Sequence, residues 1–275
     1  MDLFAAVYPR LDERKPFHFL FLPFTLSLTV LPFLTHHRRR TAIAILPLLL
    51  FSCLISPCYT FGDPSADYYQ SSAFIATPLW FLEFAVFRSE NGDDAPHYFG
   101  DSFEAGEVRP KGIEDCRTLT ERLWWACALM IPSHRGIGWN WEAKAIPQDL
   151  YRHLPMQVYV RTHLVKAIVA YIRSTAMLVL LGLASTLQDR QTPNLLTKLL
   201  LNAALGWAGA LWICNRLLCF YSMTAAASVA LGVCETWQWP PLMGDMQNAW
   251  SVGRTWGIVY HQTMRQVRIF KSSRV

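Results

Sequence analysis

Residues 199–233 read LLLNAALGWAGALWICNRLLCFYSMTAAASVALGV, with one formal charge, Arg216, next to Asn215. Apolar runs of about 20 residues already cross a bilayer core of about 30 Å, so a stretch this long belongs in a membrane. As one helix it would measure about 52 Å at 1.5 Å per residue. The length therefore predicts two spans, with a tight turn near Arg216.

Working outward, Leu164–Leu183 is a further span that carries Lys166 and Arg173. Phe17–Leu34, Ala42–Phe61 and Ser71–Phe87 are three more, and lipid tolerates their Pro23, Pro32, Pro47 and Pro57. Only helices and closed barrels satisfy their backbone inside lipid, and these runs are too long for barrel strands. The fold class is all-α: a polytopic integral membrane protein of about six transmembrane helices plus an interfacial helix. The interfacial helix is Leu123–Ile131 (LWWACALMI), too short to span, which sets Trp124 and Trp125 at headgroup level. It lies within a polar loop, 88–163, and a basic, aromatic tail follows at 235–275. The whole chain, 1–275, is expected to form one membrane-embedded domain. Loop charge puts 62–70 in the lumen, with 36–40 and 88–163 in the cytosol. Glu83 and Arg173, both inside expected spans, are read as a pair across the bundle.

Composition supports this class. Of 275 residues, 52% are hydrophobic and 16% charged, against about 25% charged in soluble domains. Disorder and coiled coil are excluded. The net charge of +5 fits basic flanks that set topology and does not call for nucleic acid. Seven cysteines without a CxxC pair give neither a disulfide framework nor a zinc site, and no metal is expected. Walker A, GxSxG, HExxH and GxGxxG motifs are absent. His134, His153 and His163 share no ligand spacing and are expected in loops or at the interface.

The chemistry concentrates in residues 237–262, WQWPPLMGDMQNAWSVGRTWGIVYHQ. With Ser251 as N-cap, a helix over 252–269 would stack Gly253, Gly257 and His261 on one face. The two glycines leave a groove beside the imidazole, bordered by Trp256 and Tyr260. Histidine is the natural general base near neutral pH and suits deprotonation of an alcohol. The same residues also fit a packing helix with a surface histidine and a GxxxG contact.

Trp239-Pro240-Pro241-Leu242-x-Gly244, followed by Ser251-x-x-Arg254-x-Trp256-Gly257-x-x-Tyr260-His261-Gln262, resembles the signature of fungal wax synthase-like membrane-bound O-acyltransferases. Arg135-Gly136-Ile137-Gly138-Trp139-Asn140-Trp141 resembles the RG-x-GW-x-W stretch that such proteins carry upstream. Tyr260 stands where the family usually has Trp, and Met243 where it has Phe. The resemblance implies an integral, multi-pass enzyme of the endoplasmic reticulum with His261 as its catalytic histidine. It implies no bound cofactor; acyl-CoA, acetyl-CoA in the first place, is a co-substrate. The acceptor is expected to be a lipophilic alcohol, a terpenoid or meroterpenoid of secondary metabolism. The family continues into further hydrophobic helices where this chain ends, fourteen residues after His261, so a C-terminally shortened member is expected.

Residue type supplies further candidates. Asn140 suits an oxyanion donor or a turn cap. Asp245 suits an orienting carboxylate for His261, or the N-cap of a short turn at 246–250. Arg135 and Lys144 suit coenzyme A phosphates or lipid headgroups. Three alternatives stand beside the acetyltransferase: a long-chain wax ester synthase, a non-catalytic truncated paralogue, and a membrane terpene cyclase with Glu83 as its intramembrane acid.

Overall fold

The computed structural model describes residues 8–89, 94–100, 110–130, 135–142, 146, 151–190 and 194–255. They fall into two compact units, residues 1–143 and 144–275.

The first unit opens with a two-residue strand, β1 (Lys15–Pro16), paired in parallel with β2 (Tyr59–Thr60). Helix α1 (Phe21–Val30) runs into a 3-10 turn at Leu31–Leu34, and α2 (Arg38–Ile55) into another at Ser56–Cys58. Proline sits in the first turn of both 3-10 segments, where the missing N–H costs nothing. Helix α3 (Pro64–Phe81) starts at Asp63, whose carboxylate accepts the Ala66 N–H at 3.1 Å. Asp67 then accepts the Thr60 hydroxyl at 2.6 Å and the Phe61 N–H at 2.7 Å, which ties β2 to the first turn of α3. The end of α3 widens into a π-helical turn, Leu82–Phe87. Helix α4 (Leu119–Met130) is the last described helix of the unit.

Three expectations change here. Glu83 bonds Arg88 at 3.1 Å, because the wider π turn brings positions five apart onto one side; Arg173 is exposed on another helix. Trp125 is not a headgroup-facing ring: it is buried in the core and donates its indole N–H to the Lys111 carbonyl at 3.2 Å, whereas Trp124 is exposed. Arg38, expected in the 36–40 loop, instead opens α2 and is buried, with its guanidinium over the Phe33 ring and bonded to the Arg88 carbonyl.

The second unit is built on a helical hairpin of α5 (Met156–Arg190) and α6 (Leu195–Ala230). The predicted turn near Arg216 is absent: α6 is unbroken through the whole apolar stretch. Asn215 returns its side-chain N–H to the Leu211 carbonyl at 2.7 Å, and the Arg216 guanidinium lies 5.8 Å from the Tyr171 ring centre. Both polar groups are accommodated without interrupting the helix. Helix α5 also begins at Met156, inside the stretch expected to be polar loop.

Asn194 starts α6 by accepting the Thr197 N–H at 2.9 Å. Its far end is a Schellman cap: Gly232, at φ +68°, donates to Val229 and Val233 donates to Ser228. The buried stripe of α5 is Tyr159, His163, Ala167, Ala170 and Ser174; that of α6 is Ser222, Ala225, Ala226 and Val229. Both stripes follow helical spacing, and their small side chains let two backbones approach closely. The outer faces, with Ile168, Ile172, Leu199, Leu200, Trp207 and Phe220, are exposed and apolar, as a lipid-facing surface is.

Among the described residues, three helices are long and apolar enough to cross a membrane: Arg38–Cys58, Met156–Leu187 and Leu195–Ala230. Phe21–Leu34 and Ala73–Phe87 are apolar but shorter. The expected count of six spans is therefore not reproduced, the unbroken α6 being one reason.

Candidate active-site frame

The Trp-Pro-Pro segment is fixed to the open end of the hairpin by side chains from both helices. Thr236 donates its hydroxyl to the Arg152 carbonyl at 2.6 Å, and the Arg152 guanidinium stands 6.0 Å from the Trp237 ring centre. Burial depresses the pKa of that guanidinium. Tyr159 of α5 lies 3.5 Å from the Trp239 carbonyl, and Tyr221 of α6 donates to the Pro240 carbonyl. Tyr221 also packs edge-on against the Trp239 ring, with centres 5.1 Å apart. Leu242 is buried. Prolines have no N–H, so this segment offers mainly carbonyl oxygens, and tyrosine hydroxyls are suited to meet them. The two tyrosines were not singled out in the sequence. Their place near the open end of the hairpin, Tyr159 within the buried stripe of α5 and Tyr221 next to buried Ser222, is the signal that marks them.

Asp245 accepts the Gln247 N–H at 3.0 Å and caps a short 3-10 turn, Met246–Asn248. That is the capping role expected of it. Ser251 accepts the Arg254 N–H at 3.3 Å and so begins the next helical turn where the sequence placed it. Gly253 is exposed, and a methyl group there would meet nothing within 4 Å. Arg254 covers the Trp250 ring, with 4.9 Å to its centre. Trp256, Gly257, Tyr260, His261 and Lys144 lie outside the described residues.

The upstream motif belongs to the first unit. Trp141 packs against Phe84 and Trp80, with ring centres 4.8 and 5.6 Å away, and Trp139 lies edge-on to Trp125 at 5.2 Å. Gly136 adopts φ +64°, and a Cβ there would fall 2.4 Å from the Trp141 ring; only glycine fits. Asn140 is engaged at both ends of its amide, accepting the His97 N–H at 3.1 Å and donating to the Ala95 carbonyl at 2.7 Å. It stitches the motif to residues 95–97 in the manner of the turn cap. Arg135 has no exposed surface, which makes it a core cation instead of the solvated, phosphate-facing group expected from its type. Glu142 accepts the Gly138 N–H at 2.7 Å; burial raises its pKa, and the Gly138 bond and Arg135 oppose that rise.

His163, expected in a loop or at the interface, is instead buried within α5 and stacked on Tyr159, with ring centres 4.3 Å apart. Among the described residues no group of three or more His, Cys, Asp or Glu side chains is placed to hold a metal.

The model of the membrane bound O-acyl transferase family matches residues 239–273, beginning at the first residue of the Trp-Pro-Pro segment. The resemblance to fungal acyltransferases of that family is borne out by individual relatives. The chain is 29% identical to acetyltransferase ple2 of Rhodocybe pseudopiperita over 162 residues, which cover 57% of this chain and 40% of the relative. It is 30% identical to O-mevalon transferase macI of Penicillium terrestre over 169 residues, covering 56% and 36%. Over a shorter stretch of 47 residues it is 45% identical to acetyltransferase eriL of Hericium erinaceus, covering 17% and 12%. The chain thus spans well under half the length of these curated relatives. No solved structure matches.

Proposed function

We propose that this chain carries the catalytic histidine segment of an acyl-CoA-dependent O-acyltransferase acting on a lipophilic alcohol in the membrane. The observation that carries this reading is the family match over 239–273, which contains His261. The transferred group is small, acetyl in the first place: relatives named acetyltransferase and O-mevalon transferase favour that over a long-chain wax ester synthase. The acceptor is a terpenoid or meroterpenoid alcohol. His261 takes the proton of the acceptor hydroxyl as its oxygen attacks the thioester carbonyl. The carbon–sulfur bond then breaks, and the imidazolium returns the proton to the departing thiolate of coenzyme A. Alignment of the substrates and exclusion of water protect the thioester from hydrolysis.

The structure supports the setting of this chemistry. Two long apolar helices carry the family motif at one end, so a lipophilic alcohol has access from the bilayer while acyl-CoA arrives from water. Membranes containing the full-length protein, incubated with labelled acetyl-CoA and a panel of hydroxylated terpenoids, test the proposal. Labelled esters are expected. Transfer restricted to palmitoyl-CoA and fatty alcohols would establish the wax synthase reading instead.

A further inference from the structure

Three side chains at the motif end of the α5–α6 hairpin hold buried polar atoms without a hydrogen-bond partner among the described residues. They are both ring nitrogens of His163, the hydroxyl of Ser222 and the indole N–H of Trp239. His163 is 4% exposed and Ser222 1%. Buried polar groups in folded proteins are overwhelmingly hydrogen-bonded, so three such groups in one region point to something missing.

The three belong together. In an antiparallel hairpin His163 lies as far before Arg190 as Ser222 lies after Leu195, which sets them at one level of the seam. The His163 ring stacks on Tyr159, whose hydroxyl reaches the Trp239 carbonyl. Trp239 packs against Tyr221, the chain neighbour of Ser222. Ala167, Ala225 and Ala226, within four residues of His163 or Ser222 on the same two helices, are buried as well.

We propose that His163, Ser222 and Trp239 form a buried site that binds a hydroxyl group of the lipophilic acceptor other than the one His261 deprotonates, an inference that rests on the transferase reading above. Neutral imidazole has one donor and one acceptor nitrogen, indole only a donor, and serine both. A hydroxyl oxygen accepts from the Trp239 N–H and donates its proton toward the acceptor nitrogen of His163. A carbonyl group only accepts, which would leave that nitrogen unmatched. The occupant that matches the donors, the acceptors and the buried alanines nearby is an alcohol on a hydrocarbon skeleton.

Thermal unfolding of the full-length protein in lipid nanodiscs tests the pocket with three probes: farnesol, its methyl ether and the hydrocarbon farnesene. Farnesol is expected to raise the midpoint, the ether less and the hydrocarbon least. His163→Leu fills the site with apolar volume; it should erase the discrimination while leaving the ligand-free midpoint unchanged or higher. A histidine kept for structure would lower that midpoint. Ser222→Ala, nearly the same size, should weaken farnesol binding about tenfold or less, as loss of one hydrogen bond does. In the transfer assay His163→Leu should raise KM for the alcohol and leave KM for acetyl-CoA unchanged. Equal stabilisation by all three probes, or a discrimination that survives His163→Leu, overturns the pocket. Discrimination without any transfer would keep the pocket and sink the transferase reading; transfer with an unchanged alcohol KM in His163→Leu would do the reverse.

Discussion

The two units solve helix packing in opposite ways. Residues 1–143 gather large rings: Phe33, Trp80, Phe81, Phe84, Trp125, Trp139 and Trp141 fill the space between short helices joined by 3-10 and π turns. Residues 144–275 bring two long helices together over alanines and serines. In the first unit the upstream motif is packed into the core: Trp139 and Trp141 are buried, and Asn140 makes both of its amide bonds to residues 95–97. In the second, the polar atoms of His163 and Ser222 have no hydrogen-bond partner among the described residues. One unit is specified by volume, the other by closeness, and the polar groups with unmet bonds beside the family motif lie in the second.

This contrast is breakable. Trp141→Ala removes a buried ring wedged against Phe84, Trp80 and Gly136, and should destabilise the first unit by about 3–5 kcal/mol, as buried aromatic truncations do. Limited proteolysis of the first unit, followed by mass spectrometry, would report the loss. Ala226→Leu makes the opposite change in the second unit. Added volume at a close helix contact should cost about 1–3 kcal/mol and be seen as a lowered unfolding midpoint. If Ala226→Leu were harmless, the seam would not be held by closeness.

A smaller effect concerns the entry to α4. Glu121 accepts the Arg117 N–H at 2.7 Å and the Thr118 N–H at 3.4 Å, while the Thr118 hydroxyl accepts the Glu121 N–H. This capping box holds the Glu121 pKa below its ordinary value, chiefly through the two backbone N–H groups. A depressed folded-state pKa gives stability that is present above the unfolded value and lost as pH falls through the folded one. Glu121→Gln should therefore flatten the acid side of the hydrogen-exchange protection of α4 and change little at pH 7.

How much of this was legible in the sequence depended on the kind of signal. Apolar runs located the helices, and Ser251 and Asp245 were recognisable as caps because their oxygens satisfy the next N–H groups, a local effect. The length of α6 was not legible. Bilayer thickness argued for two helices, and Asn215-Arg216 looked like a break, whereas Asn215 bonds back to Leu211 and Arg216 lies over Tyr171, a contact between helices that no local pattern encodes. Arg135 was misjudged for the same reason: a cation in a Gly-rich motif reads as solvated until Trp139 and Trp141 carry its loop into a core. His163 gave no spacing signal, since the residues proposed to share its site, Ser222 and Trp239, are distant in the chain.

The central claim is that the histidine within the family-matched segment performs acyl transfer. Its most direct test compares wild type with His261→Ala in membranes supplied with labelled acetyl-CoA and hydroxylated terpenoids, with protein amounts equalised by immunoblot. Wild type should form labelled ester. His261→Ala should lose it, since removing a general base costs typically about 10²–10⁴-fold in rate. Near-normal ester formation by His261→Ala would contradict the account.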